Sequence, residues 1–84
     1  MPENWDKVSF VLRGPTRSKA LRALDSPKTP TQLARELKID RPSASRTLLQ
    51  LEEEGLVACL TPDARKGRLY RRTALGNRVL KHAD

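Results

Sequence analysis

The sequence predicts a mostly α domain with one small β-hairpin (α+β), its elements in the order ααααββα. Three observations carry this. Thr29-Pro30-Thr31-Gln32 forms a capping box at the start of a central helix, with Thr29 as N-cap, Pro30 as the first helical residue and Gln32 reaching back. A second helical stretch opens at Asp40 and stops at Gly55, a residue that readily adopts the left-handed conformation after a helix. Between that stop and a closing helix capped by Thr73 lie two short β-prone runs separated by a polar turn.

The remaining elements follow from spacing and punctuation. Asn4 can cap a first helix with Trp5, Val8, Val11 and Leu12 on its inner side and Phe10 pointing away. The β-branched content of this segment leaves open a strand that packs Val8, Phe10 and Leu12 inward. Gly14-Pro15 ends the segment. The second helix begins near Thr16, carries Ala20, Leu21 and Leu24 on one face and ends at Ser26-Pro27. Leu33, Ala34 and Leu37 stripe the third, and Lys38-Ile39 turns tightly into Asp40. The fourth runs from Arg41 to about Glu54, with Ala44, Leu48 and Leu51 at i, i+4 and i+7. Leu56–Thr61 and Arg68–Arg72 form the hairpin around Pro62–Gly67, and Leu75, Val79 and Leu80 face inward from the closing helix.

Composition narrows the function. Eighty-four residues suit one domain spanning 1–84, too small for a large catalytic cavity. Lys and Arg number 17 against 10 acids, a net charge of +7, with a pI near 10.3. That balance points to a nucleic-acid partner. No apolar stretch approaches the length of a membrane span, and MPENWDKVSF lacks the pattern of a secretory signal. Cys59 alone cannot form an internal disulfide, and Cys59 with His82 is too small a ligand set for a metal. The expectations are therefore a cytoplasmic protein, no membrane partner, no cofactor and no enzymatic activity, since no nucleophile–base pair or phosphate loop is found.

The third and fourth helices, joined at Lys38–Asp40, make a helix-turn-helix, and a hairpin directly after them is the added feature of a winged version. Here the sequence resembles the winged helix-turn-helix transcription regulators of the MarR and ArsR types. The resemblance rests on Thr29-Pro30-Thr31-Gln32-Leu33-Ala34, Pro42-Ser43-Ala44-Ser45-Arg46-Thr47-Leu48, Leu51-Glu52-Glu53-Glu54-Gly55-Leu56-Val57 and Tyr70-Arg71-Arg72-Thr73-Ala74-Leu75-Gly76. It implies a double-stranded DNA partner, with helix 41–54 in the major groove and wing 62–68 on the backbone or minor groove.

Helical geometry names the residues. With Ala44, Leu48 and Leu51 inward, Pro42, Ser43, Arg46, Leu49, Gln50 and Glu53 point most directly away. Arg46 can fork onto guanine and Gln50 suits adenine, while Ser43, Ser45 and Thr47 can bond phosphate. The carboxylates of Glu52-Glu53-Glu54 would repel phosphate, so the N-terminal half of the helix is the part that docks. Residues 62–81 hold seven bases against Asp63 alone, and Arg65, Lys66 and Arg68 lie on or beside the loop that Gly67 helps to turn. The resemblance adds Arg17, Lys19 and Lys28 as backbone contacts. Tyr70 reads as a packing residue, and Gly76 inside the closing helix signals close packing.

The MarR resemblance also implies dimerisation through terminal helices, here Asn4–Arg13 and Thr73–Ala83. The short flanks leave little room for that family's effector pocket, and the cysteine and histidine ligands of ArsR-type metal sensors are missing. Two rival readings stay open: a winged-helix protein-interaction module, and a non-specific architectural DNA-binding protein.

Overall fold

Local capping sets the centre of the fold. In the computed structural model, which describes residues 5–83, the Thr29 hydroxyl accepts from the Gln32 N–H at 3.2 Å and the Gln32 side chain accepts from the Thr29 N–H at 2.9 Å. This box opens helix α3, Pro30–Leu37. Before it come α1, Trp5–Arg13, and α2, Pro15–Ala23. After it come α4, Arg41–Glu53, strands β1, Val57–Cys59, and β2, Tyr70–Arg72, and helix α5, Ala74–Ala83. The order is the expected ααααββα.

The turn between α3 and α4 is built without glycine. Lys38 adopts the left-handed conformation at φ 58°, and Ile39 N–H donates to the Ala34 carbonyl at 3.0 Å. Asp40 then caps α4 by accepting from the Ser43 N–H at 3.0 Å. At the other end of α4, Gly55 takes φ 75°, the conformation that lets the chain leave the helix and enter β1.

Leu21, Leu33, Leu48, Leu51, Leu56, Val8, Val11, Val57 and Val79 form the fully buried heart of the core. Ala20, Leu24, Ala44 and Tyr70 join them, so α2, α3 and α4 bury the stripes their spacing predicts. Tyr70 is a packing residue, as expected. Leu75 and Leu80 of α5 pack against this core half-buried, with Val79 at its centre.

The first helix differs in detail. It is helical, so the strand alternative falls, and the Asn4 cap lies outside the described residues. Val8 and Val11 are buried, but Trp5 and Leu12 are 47% and 56% exposed. Phe10, expected outside, packs half-buried against the core. At about 100° per residue, Trp5 and Leu12 share one flank well off the Val8–Val11 centre. Phe10 is covered by the Arg17 guanidinium, 3.9 Å from its ring centroid.

The wing is also longer-looped than its sequence suggests. β1 and β2 pair antiparallel over only three residues each, Val57 with Arg72, Ala58 with Arg71 and Cys59 with Tyr70. Leu60 N–H still reaches the Leu69 carbonyl at 2.7 Å. Beyond that, the Thr61 hydroxyl takes the Leu69 N–H at 2.9 Å and its carbonyl takes the Ala64 N–H at 3.0 Å. These turn bonds replace ladder bonds, so the loop spans residues 60–69 rather than 62–67. The wing root is tied down by a bridge between Lys28 and Tyr70, with reciprocal backbone bonds of 3.0 and 2.9 Å. Among the described residues, no helix is long and apolar enough to cross a membrane.

Candidate nucleic-acid interface

The outer side of α4 divides into a ridge and two flanks. With Ala44, Thr47, Leu48 and Leu51 buried, Pro42, Arg46, Leu49 and Glu53 lie roughly opposite them and all four are exposed. On one flank, Arg41, Ser45 and Leu49 face the wing across a groove of about 340 Å³, closed by Arg65, Lys66, Gly67 and Arg68 and floored in part by Pro30 and Thr31 of α3. Arg65, Lys66 and Arg68 are exposed. Arg68 Nε donates to the Ala64 carbonyl at 2.8 Å, which braces the turn and leaves the guanidinium at its surface. This flank therefore pairs a helix face with a cationic loop.

The other flank is differently built. Thr47, Gln50 and Glu54 line an open cleft of about 760 Å³ with Asp6, Ser9, Phe10 and Arg17. Arg17 bridges it: Nη1 donates to the Phe10 carbonyl at 2.8 Å and Nε to the Gln50 side-chain oxygen at 3.4 Å. The carboxylate of Glu54 is paired with Lys7 of α1 at 3.1 Å. Gln50, picked for adenine, thus has its acceptor engaged by Arg17, with its amide N–H₂ left to donate.

The other sequence-selected residues are placed as follows. Ser43 donates its hydroxyl to Asp40 at 2.7 Å, and this bond, with the Ser43 backbone N–H, holds the Asp40 carboxyl below its ordinary value. Thr47 is only 8% exposed and turns toward the core. Lys28 lies apart from α4's ridge: its ammonium bonds the Ala23 carbonyl and Asp25, the latter at 3.0 Å, and sits 3.8 Å from Glu36. That ammonium holds the Asp25 carboxyl below its usual range. Arg72, counted among the basic residues of the wing region, turns inward, donating to the Leu21 carbonyl at 2.8 Å and to Asn77 at 2.5 Å.

The structure thus brings Ser45, Arg65, Lys66 and Arg68 to one groove and sets Pro42 and Arg46 on its rim. Arg17, Thr47 and Gln50 share the opposite cleft, and Lys28 fastens the α2–α3 junction. Arg41 and Leu49, absent from the sequence-based set, belong to the wing-side groove. Their signal was spacing: positions 41, 45 and 49 step four at a time along one side of a helix. Among the described residues, no group of three or more His, Cys, Asp or Glu side chains is gathered as a metal site would need.

The HVO_A0261 N-terminal domain family matches residues 5–84 of the chain. No curated protein sequence matches it. Among solved structures, the fold is similar to a mutant MarR from E. coli complexed with operator DNA, at 23% identity and TM-score 0.75, over 93% of this chain and 58% of that one. It is similar to the transcriptional regulator BldR from Sulfolobus solfataricus, at 20% identity and TM-score 0.76, over 93% and 58%. The adhesin competence repressor AdcR from Streptococcus pyogenes matches at 20% identity and TM-score 0.72, over 96% and 68%. The winged-helix fold of the MarR-type regulators is therefore the fold of this chain, which spans 58% to 68% of the length of these three proteins.

Proposed function

The chain belongs to the HVO_A0261 N-terminal domain family, and from that premise we propose that it is a sequence-specific double-stranded DNA-binding regulator of transcription, acting without catalysis. α4 enters the major groove by its N-terminal half, and the wing lies on the backbone or minor groove. The observation that carries this reading is the α4 ridge bearing Arg46 beside a groove walled by Arg41, Arg65, Lys66 and Arg68. A helix fits the major groove, and a cationic loop set beside it meets the phosphates that flank that groove. The similarity to a MarR complexed with operator DNA adds support at the level of fold.

The roles divide by chemistry. Arg46 is exposed on the ridge and can present a bidentate fork to guanine O6 and N7. Ser45 and the wing cations position the helix by binding phosphate. Arg17 acts through Gln50 and Phe10 rather than as a free backbone contact, and Lys28 holds the α2–α3 junction. A second copy would dock through α1 and α5, a reading supported by the exposed Trp5 and Leu12.

Selection of bound duplexes from a random library tests specificity. The expected result is an enriched motif, and Arg46→Ala relaxes one position of it at a cost of about 1–3 kcal/mol. Equal retention of all duplexes would instead favour an architectural role, and a protein that retains none would favour the protein-interaction module.

A further inference from the structure

Four large hydrophobic side chains are exposed among the described residues, Trp5, Leu12, Leu49 and Leu60, and Leu49 alone stands on the outer ridge of α4, at 47% exposure. A single surface leucine needs no explanation in general. This one is set in a cationic frame. It adjoins Arg46 on the ridge and lines the groove with Arg41, Arg65, Lys66 and Arg68. A residue there that served only to bind phosphate would be basic or a hydrogen-bond donor, and leucine is neither. The apolar group that base edges display in the major groove is the C5-methyl of thymine.

We propose that Leu49 is a specificity-determining residue that reads a thymine methyl. The inference rests on α4 being the helix that enters the major groove, and extends the docked stretch from its N-terminal half to Leu49, one turn short of the carboxylates at Glu53 and Glu54. Arg46 and Leu49 are three residues apart on one side of the helix, so they are separated by about 4.5 Å along its axis. One base step rises about 3.4 Å. With α4 lying along the groove, the thymine read by Leu49 is on a base pair next to the one read by Arg46. Arg46 supplies the hydrogen bonds and Leu49 the apolar contact, and together they distinguish a guanine–thymine neighbourhood from one in which cytosine replaces thymine. Cytosine has no methyl group and offers an amino donor that Leu49 cannot satisfy.

The test uses the duplex that the wild-type chain enriches from a random library, with each thymine replaced in turn by deoxyuridine. That change removes the methyl and keeps the O4 acceptor. Affinity is read by fluorescence anisotropy at fixed salt. One thymine, adjacent to the position relaxed by Arg46→Ala, should weaken binding about fourfold when its methyl is removed. Leu49→Ala, or Leu49→Gln as a second variant, should bind the thymine and deoxyuridine duplexes equally, with the salt dependence of the wild type. Indifference of the wild type to every deoxyuridine overturns the inference while leaving selective DNA binding intact, as does a Leu49→Ala variant that keeps the sensitivity. If the wild type enriches no duplex, the proposed function falls and the inference with it.

Discussion

Gly76 lies in the first turn of α5, where alanine would ordinarily stabilise a helix by up to about 1 kcal/mol. Here the outcome reverses. A Cβ at residue 76 would stand 2.2 Å from the Leu56 carbonyl oxygen and 2.8 Å from Arg72 Cγ. The second neighbour is a flexible side chain, but the first is backbone at the root of the wing. That carbonyl accepts from the Thr73 N–H at 3.0 Å, and the Thr73 hydroxyl donates to the Gly55 carbonyl at 2.7 Å while accepting from the Gly76 N–H at 3.0 Å. Making room for a methyl therefore moves α5 off β1 and strains the bonds that start the helix. Overpacking of this kind costs about 1–3 kcal/mol, and a weakened hydrogen bond adds about 1. Set against the helical gain, the net loss is about 2 kcal/mol. For a chain of this size, Gly76→Ala should lower the melting midpoint by about 8–16 °C, read by circular dichroism. A variant that melts at or above the wild-type temperature would refute the close approach of α5 to the wing root.

Three further predictions follow from contacts already described. Lys28→Ala should lower the melting temperature while leaving the duplex affinity of the folded protein unchanged, because its ammonium is spent on Asp25, the Ala23 carbonyl and Glu36; a loss of affinity with unchanged melting would return Lys28 to the DNA surface. Arg65→Ala and Arg68→Ala should weaken binding to all duplexes alike and reduce the salt slope by about 1 each, and a variant that changes the preferred motif would contradict a backbone role for the wing. Asp40 is held below its ordinary value first by the Ser43 hydroxyl and then by the Ser43 N–H, so its cap strengthens α4 above the ordinary carboxylate range and is lost as pH falls through its lowered native value. Ser43→Ala should raise the Asp40 midpoint in a carboxyl NMR titration, and an unmoved midpoint would show that the hydroxyl bond does not hold it.

What could be read from the sequence was local. The capping box at Thr29, the Asp40 cap and the Gly55 stop are short-range signals, and each sits where its residues predicted. The stripes of α2, α3 and α4 likewise followed from helical spacing, and so did the outward placement of Arg46 and Leu49. The misreadings came from contacts between residues distant in the chain. Nothing near Arg72 indicates that it reaches the end of α2, 51 residues away, to bond the Leu21 carbonyl. Phe10 is half-buried because Arg17 folds over it, a pairing that exists only once α2 packs on α1. The tight turn read at Lys38-Ile39 is where it was expected, and only its left-handed conformation at Lys38, without glycine, had no local signal. The wing loop begins earlier because the Thr61 hydroxyl takes a backbone donor that the ladder would otherwise use. Long basic side chains were the hardest to place, since a count of charge does not distinguish one aimed at solvent from one bonded to a helix end.

In the proposed function, α4 and the wing form one cationic surface for duplex DNA. Anisotropy of a labelled random duplex, titrated with the whole chain at about 50 and 200 mM salt, tests it most directly. If Arg41, Arg65, Lys66 and Arg68 each neutralise one phosphate, the slope of log affinity against log salt is about −3.6, and affinity falls about 150-fold between the two conditions. Binding at the lower salt that weakens in this way is expected of such a surface. Absence of binding at the lower salt, or binding indifferent to salt, would contradict it.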